Sequence, residues 1–241
     1  MIQNGILASW ADKYETSEFI KHDPIMFPRQ YQEKKDIEIS AVLTSWIAYG
    51  NRKAIIKTAR LLDDEMGGTP YMFIKNCGYN KWFNDENSFY RFFKYKDLYM
   101  LCARLHNIYE HNVTLEDCLA GCIKLNGVNL TKALQITFNG IVGIPVQLGC
   151  SACKRLVMLQ RWLVRKNSPV DIGIWSLVST EDLLIPLDVH VHSISLELGL
   201  TKRRSADMKT AIEITNYFKN IFPHDPSRGD FSLFGKDIEM R

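Results

Sequence analysis

The stretch LLIPLDVHVHS, residues 183–193, contains residue types that could do chemistry in two ways. On a β-strand, His190 and His192 would point to the same side, which is how some metal-dependent hydrolases begin their site. On a helix, residues two apart lie about 200° around the axis, so the two imidazoles could not chelate one ion. Asp188 would then be the N-cap of that helix. The helix is favoured by three apolar residues spaced three or four apart, Val191, Ile194 and Leu198.

A lysine lies near the start of a second predicted helix, GCSACKRLVMLQRWLVRK, residues 149–166. Gly149 favours a turn, Ser151 is expected to cap the helix, and Lys154 falls in the first turn. The helix dipole opposes a positive charge at that position, so the ammonium form is disfavoured. A neutral lysine amine is a nucleophile, which makes Lys154 a candidate for covalent chemistry. The alternative is a surface lysine that bends away into solvent.

The same helix predicts a stripe of positive charge. At 100° per residue, Lys154, Arg161 and Arg165 lie within about 20° of one line, and three leucines take the opposite side. Cations on one stripe repel each other unless an anion lies near. A phosphate backbone would supply that anion, and so would solvent with counterions.

Composition sets the class of protein. The chain has 241 residues, of which 46% are hydrophobic and 24% charged, with a formal net charge of +3. These values are ordinary for a soluble protein, and they exclude a polycation. No apolar run is long enough to span a membrane, and the first residues do not resemble a signal peptide. We therefore expect a cytoplasmic protein.

The six cysteines do not predict a metal site. Cys150 and Cys153 form a C-x-x-C pair, but a structural zinc needs four ligands. The other close pair, Cys118 and Cys122, has a spacing that arises by chance on a helix. We expect no metal and no cofactor.

Helical periodicity dominates the chain and predicts a mainly α architecture with short loops. Residues 36–66 predict two helices that meet at Tyr49-Gly50-Asn51, the first capped by Asp36. Thr114 with Asp117 suggests a capping box. A single helix face is predicted for Leu98, Leu101, Leu105 and Ile108. Strand signals such as PVDIGIW, residues 169–175, are short and isolated.

Three stretches carry a resemblance to a known family: HDPIMFPRQYQEKKDIEISAVLTSWIAYGNRK, GCSACKRLVMLQRWLVRKNSPVDIGIWSLVSTEDLLIPLDVHVHSISLELGLTKR and FPHDPSRGDFSLFGK. They resemble the uncharacterised bacterial family DUF2400. That family is in turn similar to the helix-hairpin-helix DNA glycosylases. This chain resembles their archaeal 8-oxoguanine glycosylase branch. The resemblance implies an all-α fold of two helical lobes with a cleft between them. The implied lobes are residues 36–166, and residues 1–35 plus 167–241.

The resemblance also implies a reaction and its residues. It implies a DNA glycosylase with AP lyase activity that removes an oxidised purine such as 8-oxoguanine from damaged duplex DNA. Lys154 would be the nucleophile and Asp188 the catalytic carboxylate, close together at a pocket between the lobes. Asp230 and Phe234 would hold the flipped base, with Trp46 and Trp162 as further stacking candidates. The DNA backbone would be contacted by Arg155, Arg161 and Arg165. No membrane and no obligate protein partner are implied.

Three other functions stay open at this point. One is a nucleic-acid-binding protein of the same fold without catalysis. Another is a metal-dependent hydrolase that uses His190 and His192. The third is a helical protein with a structural or partner-binding role.

Overall fold

Helices build the fold. The computed structural model describes residues 4–145 and 151–239. Within these residues the only sheet is one antiparallel pair of short strands. The predicted mainly α architecture is therefore confirmed. The described chain divides into two compact units, which we call the terminal unit (residues 4–22 and 151–239) and the middle unit (residues 23–145).

The helices and strands follow each other along the chain. The terminal unit begins with α1 (Asn4–Tyr14) and α2 (Ser17–Ile20). The middle unit contains α3 (Met26–Arg29), α4 (Lys34–Ile47), α5 (Arg52–Met66), α6 (Pro70–Lys75), β1 (Ser88–Tyr90), β2 (Phe93–Lys94), α7 (Tyr95–His111), α8 (Leu115–Asn126) and α9 (Leu130–Thr137). The terminal unit then continues with α10 (Lys154–Val164), α11 (Val189–Glu197), α12 (Met208–Lys219) and α13 (Gly229–Glu239). Short 3₁₀ helices occupy Gly78–Trp82, Thr180–Asp182 and Pro226–Arg228.

Helix α4 lies at the centre of the middle unit, with every residue from Ile37 to Ile47 buried. Its acidic residues stabilise the starts of other helices. The carboxylate of Glu38 accepts hydrogen bonds from the backbone amides of Leu115 and Glu116, at 2.9 and 3.1 Å. Asp36 accepts one from the amide of Tyr71 at 2.7 Å. The prediction that Asp36 caps its own helix is wrong, because the N-cap is Glu33 and Asp36 serves α6 instead.

Helices α5 and α8 of the middle unit begin at side-chain caps, of which the one at Thr114 was predicted. Asn51 caps α5 and accepts from the amides of Lys53 and Ala54. Thr114 caps α8 and accepts from the amide of Asp117. Each of these side chains satisfies amides that have no partner within their helix. The predicted buried face of α7 is also present, since Leu98, Leu101, Leu105 and Ile108 are all buried.

Helix α10 is the most deeply buried helix of the terminal unit, with every residue from Leu156 to Val164 buried. The segment predicted as a weak strand, residues 169–175, forms no strand and closes the end of this helix. The amides of Ile172 and Gly173 donate to the carbonyl of Trp162, and the amide of Trp175 donates to that of Leu163. Gly173 has φ +69°, and a Cβ there would lie 2.7 Å from the carbonyl oxygen of Arg165. Only glycine fits this close approach.

Helix α1, near the start of the sequence, packs against α13, near its end. Leu7 and Ala11 are fully buried, and Ser232 donates to the carbonyl of Leu7 at 2.7 Å. A Cβ at Gly235 would lie 2.5 Å from the ring of Tyr14, so the two helices approach closely. The terminal unit therefore depends on residues from both ends of the sequence.

The observed division differs from the predicted lobes in two places. Residues 23–35, which include α3, belong to the middle unit, and α10, which the prediction assigned to residues 36–166, belongs to the terminal unit. Arg165 of this helix pairs with Glu15 at 2.6 Å, so its side-chain partners come from the terminal unit. None of the described helices is both long enough and apolar enough to cross a bilayer.

Candidate active site

Lys154 is the first residue of α10 and is half-buried. The N-cap is Cys153, which has φ +49° and makes no side-chain capping bond. The prediction that Ser151 caps α10 is therefore wrong: its hydroxyl accepts from the amide of Cys153 at 3.1 Å, before the helix begins. The predicted turn residue Gly149 lies outside the described residues. Within the described part of the chain, the Lys154 ammonium forms no ion pair with Asp188, so the two predicted catalytic groups are not in direct contact.

Asp188 caps α11 as the sequence predicts. Its Oδ1 accepts hydrogen bonds from the amides of His190 and Val191, at 3.0 and 2.9 Å. Both bonds use the same oxygen, so the other oxygen can serve a ligand without loss of the cap. The carboxylate is thus fixed by the helix start and only half-buried.

Asp230, the second residue of α13, is close enough to Lys154 and Asp188 for their charges to shift its pKa. Burial raises the pKa of Asp230 above its ordinary value, and the negative charges of Asp188 and Asp171 raise it further. The positive charges of Arg161 and Lys154 act in the opposite direction. Its side chain keeps 21% of its surface exposed. The charges of Lys154 and Asp188 therefore both act on the carboxylate of Asp230.

Arg161 holds Asp230 from inside the fold. One terminal nitrogen of its guanidinium donates to Oδ2 of Asp230, and Nε donates to Oδ1 of Asp171 at 3.2 Å. The ring of Phe231 lies 4.9 Å from the guanidinium carbon. The side chain of Arg161 is 3% exposed and that of Asp171 is 0% exposed. This set fixes the position of Asp230 from one side.

Arg165 is surrounded by three carboxylates. It pairs with Glu15 at 2.6 Å, with Asp171 at 2.9 Å and with Asp225 at 2.7 Å. Its guanidinium also lies 5.4 Å from the ring of Phe231. Each of these bonds is charge-assisted, so the group is held in one orientation.

The prediction of a basic stripe on the surface of α10 is wrong for both arginines. Arg161 and Arg165 are buried and neutralised by carboxylates, so they offer no basic surface to a phosphate backbone. Glu15, Asp225 and Asp230 are distant in sequence, and Asp171 lies beyond the end of α10, so the periodicity of this helix carries no information about them. Arg155 is half-buried, and its predicted contact with the DNA backbone stays a prediction.

The predicted stacking residues are packed within the fold. Phe234 makes edge-to-face contacts with Tyr14 and Phe19, at 5.9 and 4.9 Å between ring centroids. Trp162 is fully buried on α10. Trp46 belongs to the middle unit, where it is 2% exposed and its Nε1 donates to the carbonyl of Val142. The buried positions of Trp46 and Trp162 do not fit the role of a base-stacking surface.

Three carboxylates of this network were not among the residues predicted from the sequence: Glu15, Asp171 and Asp225. One local signal was present for Asp171, because it lies between Val170 and Ile172 in an apolar stretch. A carboxylate in such a stretch needs a buried cation as a partner. Nothing local points to Glu15, which lies 150 positions before Arg165 in the chain.

The two histidines do not form a metal site. His190 is exposed, while His192 is buried with its Nε2 2.8 Å from the carbonyl oxygen of Arg203. Among the described residues, no group of three or more histidine, cysteine or acidic side chains could hold a metal ion. Cys153 is buried, which raises the pKa of its thiol, and Cys150 lies outside the described residues.

Comparison with known proteins gives one match. No curated protein and no solved structure matches the chain significantly. A family profile, described as a protein of unknown function, matches residues 23–239 and thus most of the sequence. The match includes Lys154, Asp188 and Asp230, and it begins after α1 and α2. The chain therefore belongs to the DUF2400 family.

Proposed function

We propose that the protein is a DNA base-excision glycosylase with AP lyase activity that acts on an oxidised purine such as 8-oxoguanine. The observation that carries the proposal is the electrostatic coupling of Lys154 and Asp188 to the partly exposed Asp230. A lysine nucleophile, a fixed carboxylate and a third group that can bind a base are the parts that this chemistry needs.

Lys154 acts as the nucleophile in this proposal. Its neutral amine attacks C1′ of the deoxyribose, and the bond from C1′ to the base nitrogen breaks. The electron pair of that bond leaves with the base, which takes up a proton, and the attacking nitrogen loses one. The sugar ring then opens to an imine as the bond from C1′ to O4′ breaks and O4′ takes up a proton. Loss of a proton from C2′ then allows β-elimination, which breaks the bond between C3′ and its phosphate oxygen. The target nucleotide must leave the stack for this, at a cost of a few kcal/mol.

Asp188 and Asp230 have separate roles. Asp188 stays ionised and stabilises the positive charge that develops on the sugar. Asp230 binds the edge of the base, and Arg161 leaves its Oδ1 for that purpose. Burial and neighbouring carboxylates raise the pKa of Asp230, and the positive charges of Arg161 and Lys154 oppose that rise.

The test is base release from duplex DNA that contains one 8-oxoguanine. We expect the wild-type protein to release the base and Lys154→Gln to release none. The matched control is Lys166→Gln, because Lys166 is an exposed lysine of the same unit whose ammonium bonds to Ser176. Equal activity of the two variants would contradict the role of Lys154. A wild-type protein that binds DNA but releases no damaged base would favour the binding-only alternative.

A further inference from the structure

Helix α5 of the middle unit carries an unusual distribution of charge. Its first nine residues contain four exposed cations and no carboxylate: Arg52, Lys53, Lys57 and Arg60. At 100° per residue, Lys53, Lys57 and Arg60 lie within about 60° of each other on one face. The first turn has no acidic residue and the last turn no basic one, which is opposite to what the helix dipole favours. An anion bound along this face would offset that cost.

An exposed aromatic ring stands at the turn of the β1–β2 hairpin. Tyr90 pairs with Phe93, so Arg91 and Phe92 form the two-residue turn between the strands. Phe92 is 60% exposed, and Arg91 has φ +56°. The ring of Phe92 lies 5.0 Å from that of Tyr49 with a tilt of 33°. The Arg91 guanidinium lies 5.3 Å from the centre of the same Tyr49 ring.

The hairpin turn lies beside the start of α5. A Cβ on Gly50 would be 2.5 Å from a terminal nitrogen of Arg91, so the guanidinium covers this glycine. The next residue, Asn51, is the N-cap of α5. The exposed ring, its neighbouring guanidinium and the first cations of the helix therefore form one continuous surface.

We propose that this surface binds single-stranded nucleic acid. We call it the α5 platform and define it by Tyr49, Arg91, Phe92, Arg52, Lys53 and Lys57. The Phe92 ring contacts Tyr49 and Phe93 but keeps 60% of its surface exposed, and a base can stack on that exposed part. The cations can bind the phosphates that flank the base, since stacking rings beside a basic surface are what non-specific single-strand binders use. The proposal goes beyond base excision, because it assigns a binding role to the middle unit whether or not Lys154 is catalytic.

Nucleic acid fits this surface better than an anionic membrane does. Stable attachment to a bilayer requires a sizeable buried apolar face or a lipid chain in addition to basic residues. Around the hairpin turn the exposed apolar group is the single ring of Phe92, and its neighbours Arg91, Arg52 and Lys53 are charged. One ring can stack on one base, and it can anchor a membrane only weakly.

The test measures binding of a fluorescently labelled oligothymidylate to the full-length protein at low salt, by fluorescence anisotropy. We expect Phe92→Ala to weaken binding about fivefold or more, the loss that stacking on one base accounts for. The matched control is Phe83→Ala, because Phe83 has the same exposure of 60% and belongs to the same unit. That control should bind like the wild type. Circular dichroism verifies that both variants are folded.

The cations are tested by salt dependence. The double variant Lys53→Ala with Lys57→Ala should lower the slope of log affinity against log salt by about 0.7 for each lost phosphate contact. Lys124→Ala, an exposed lysine on α8, should leave the slope unchanged.

Three outcomes would overturn the proposal. The first is no binding of the oligonucleotide by the wild type at low salt, and the second is an equal loss in Phe92→Ala and Phe83→Ala. The third is binding to phosphatidylserine vesicles that Phe92→Ala abolishes while oligonucleotide binding stays intact. Base excision is tested by Lys154→Gln and the α5 platform by Phe92→Ala, so failure of one proposal is distinguishable from failure of the other.

Discussion

Four carboxylates surround the two buried guanidinium groups of α10, and the pKa values of three of them are shifted from their ordinary values. Burial raises the pKa of Asp225, and it does the same for Asp230. Burial would also raise the pKa of Glu15, but the bonds from Arg165, Arg228 and Ser168 outweigh it and lower the value. Glu15 therefore stabilises the fold in its ionised form, whereas the ionised forms of the other two cost stability as the pH rises through their raised pKa values.

The first prediction at the residue scale concerns Glu15→Gln. The variant should lower the free energy of unfolding by about 3 kcal/mol at neutral pH, because it removes one partner of a buried ion pair. A lowered pKa gives stability that is present above the ordinary value of 4.5 and is lost as the pH falls through the lowered value. The difference between wild type and variant should therefore shrink below that pH. Urea unfolding at a series of pH values measures it.

Glu18→Gln is the control for this series. Glu18 pairs with Lys21 three residues later, and both side chains are 66% exposed, so the loss of this pair should cost less than about 1 kcal/mol. A Glu15→Gln effect as small as that of Glu18→Gln, or a difference that grows as the pH falls, would contradict the stabilising role of ionised Glu15 in the buried ion pair.

At the scale of helices, capping residues stabilise the position at which each helix begins. Two residues that cap their own helix were predicted from the sequence, Asp188 and Thr114. Residues that act on a helix far along the chain could not be predicted, since Asp36 and Glu38 stabilise helices that begin more than thirty positions later. The same reason explains the candidate site. Its lysine and its capping aspartate have local signals, but the environment of Asp230 depends on distant contacts.

The prediction at this scale separates the two roles of Asp188. Asp188→Asn should keep the stability of the wild type, because asparagine caps helices about as well, and it should slow base removal, because the charge is lost. Asp188→Ala should lose base removal and in addition about 1 kcal/mol of stability. Chemical unfolding and base release, measured on the same preparations, give the two readouts.

Asp207→Asn is the matched control, because Asp207 caps α12 by a bond to the amide of Thr210. It should leave base removal unchanged. If Asp188→Asn released the base as fast as the wild type, the capping role would be the whole role of Asp188.

At the scale of the whole molecule, both ends of the chain contribute to one unit. The family match begins at residue 23, whereas α1 covers α13 and supplies the buried side chain of Leu7. Periodicity predicts such helices one by one, but it does not predict which of them pack together. For this reason the sequence does not predict that α10 belongs to the terminal unit, since that depends on contacts with Glu15 and Asp225.

We predict that a chain shortened to residues 23–239 loses the native terminal unit. Removal of α1 exposes the apolar surface of α13 and leaves Arg165 and Arg228 without Glu15. Calorimetry should show a smaller unfolding enthalpy than that of the full chain. In the full-length protein, Leu7→Asp should cause a similar loss and Ile6→Asp should not, because Leu7 is 0% exposed and Ile6 is 41% exposed. A shortened chain that unfolds like the full one would contradict this account.

The identity of the residue that forms the imine tests the central claim most directly. The protein is incubated with duplex DNA containing 8-oxoguanine, the imine is reduced with borohydride, and the trapped adduct is digested and mapped by mass spectrometry. The account predicts that the sugar remnant is attached to Nζ of Lys154 and that Asp188→Asn lowers the yield of the adduct. An adduct on any other residue, or no adduct from a substrate whose base the protein removes, would contradict it.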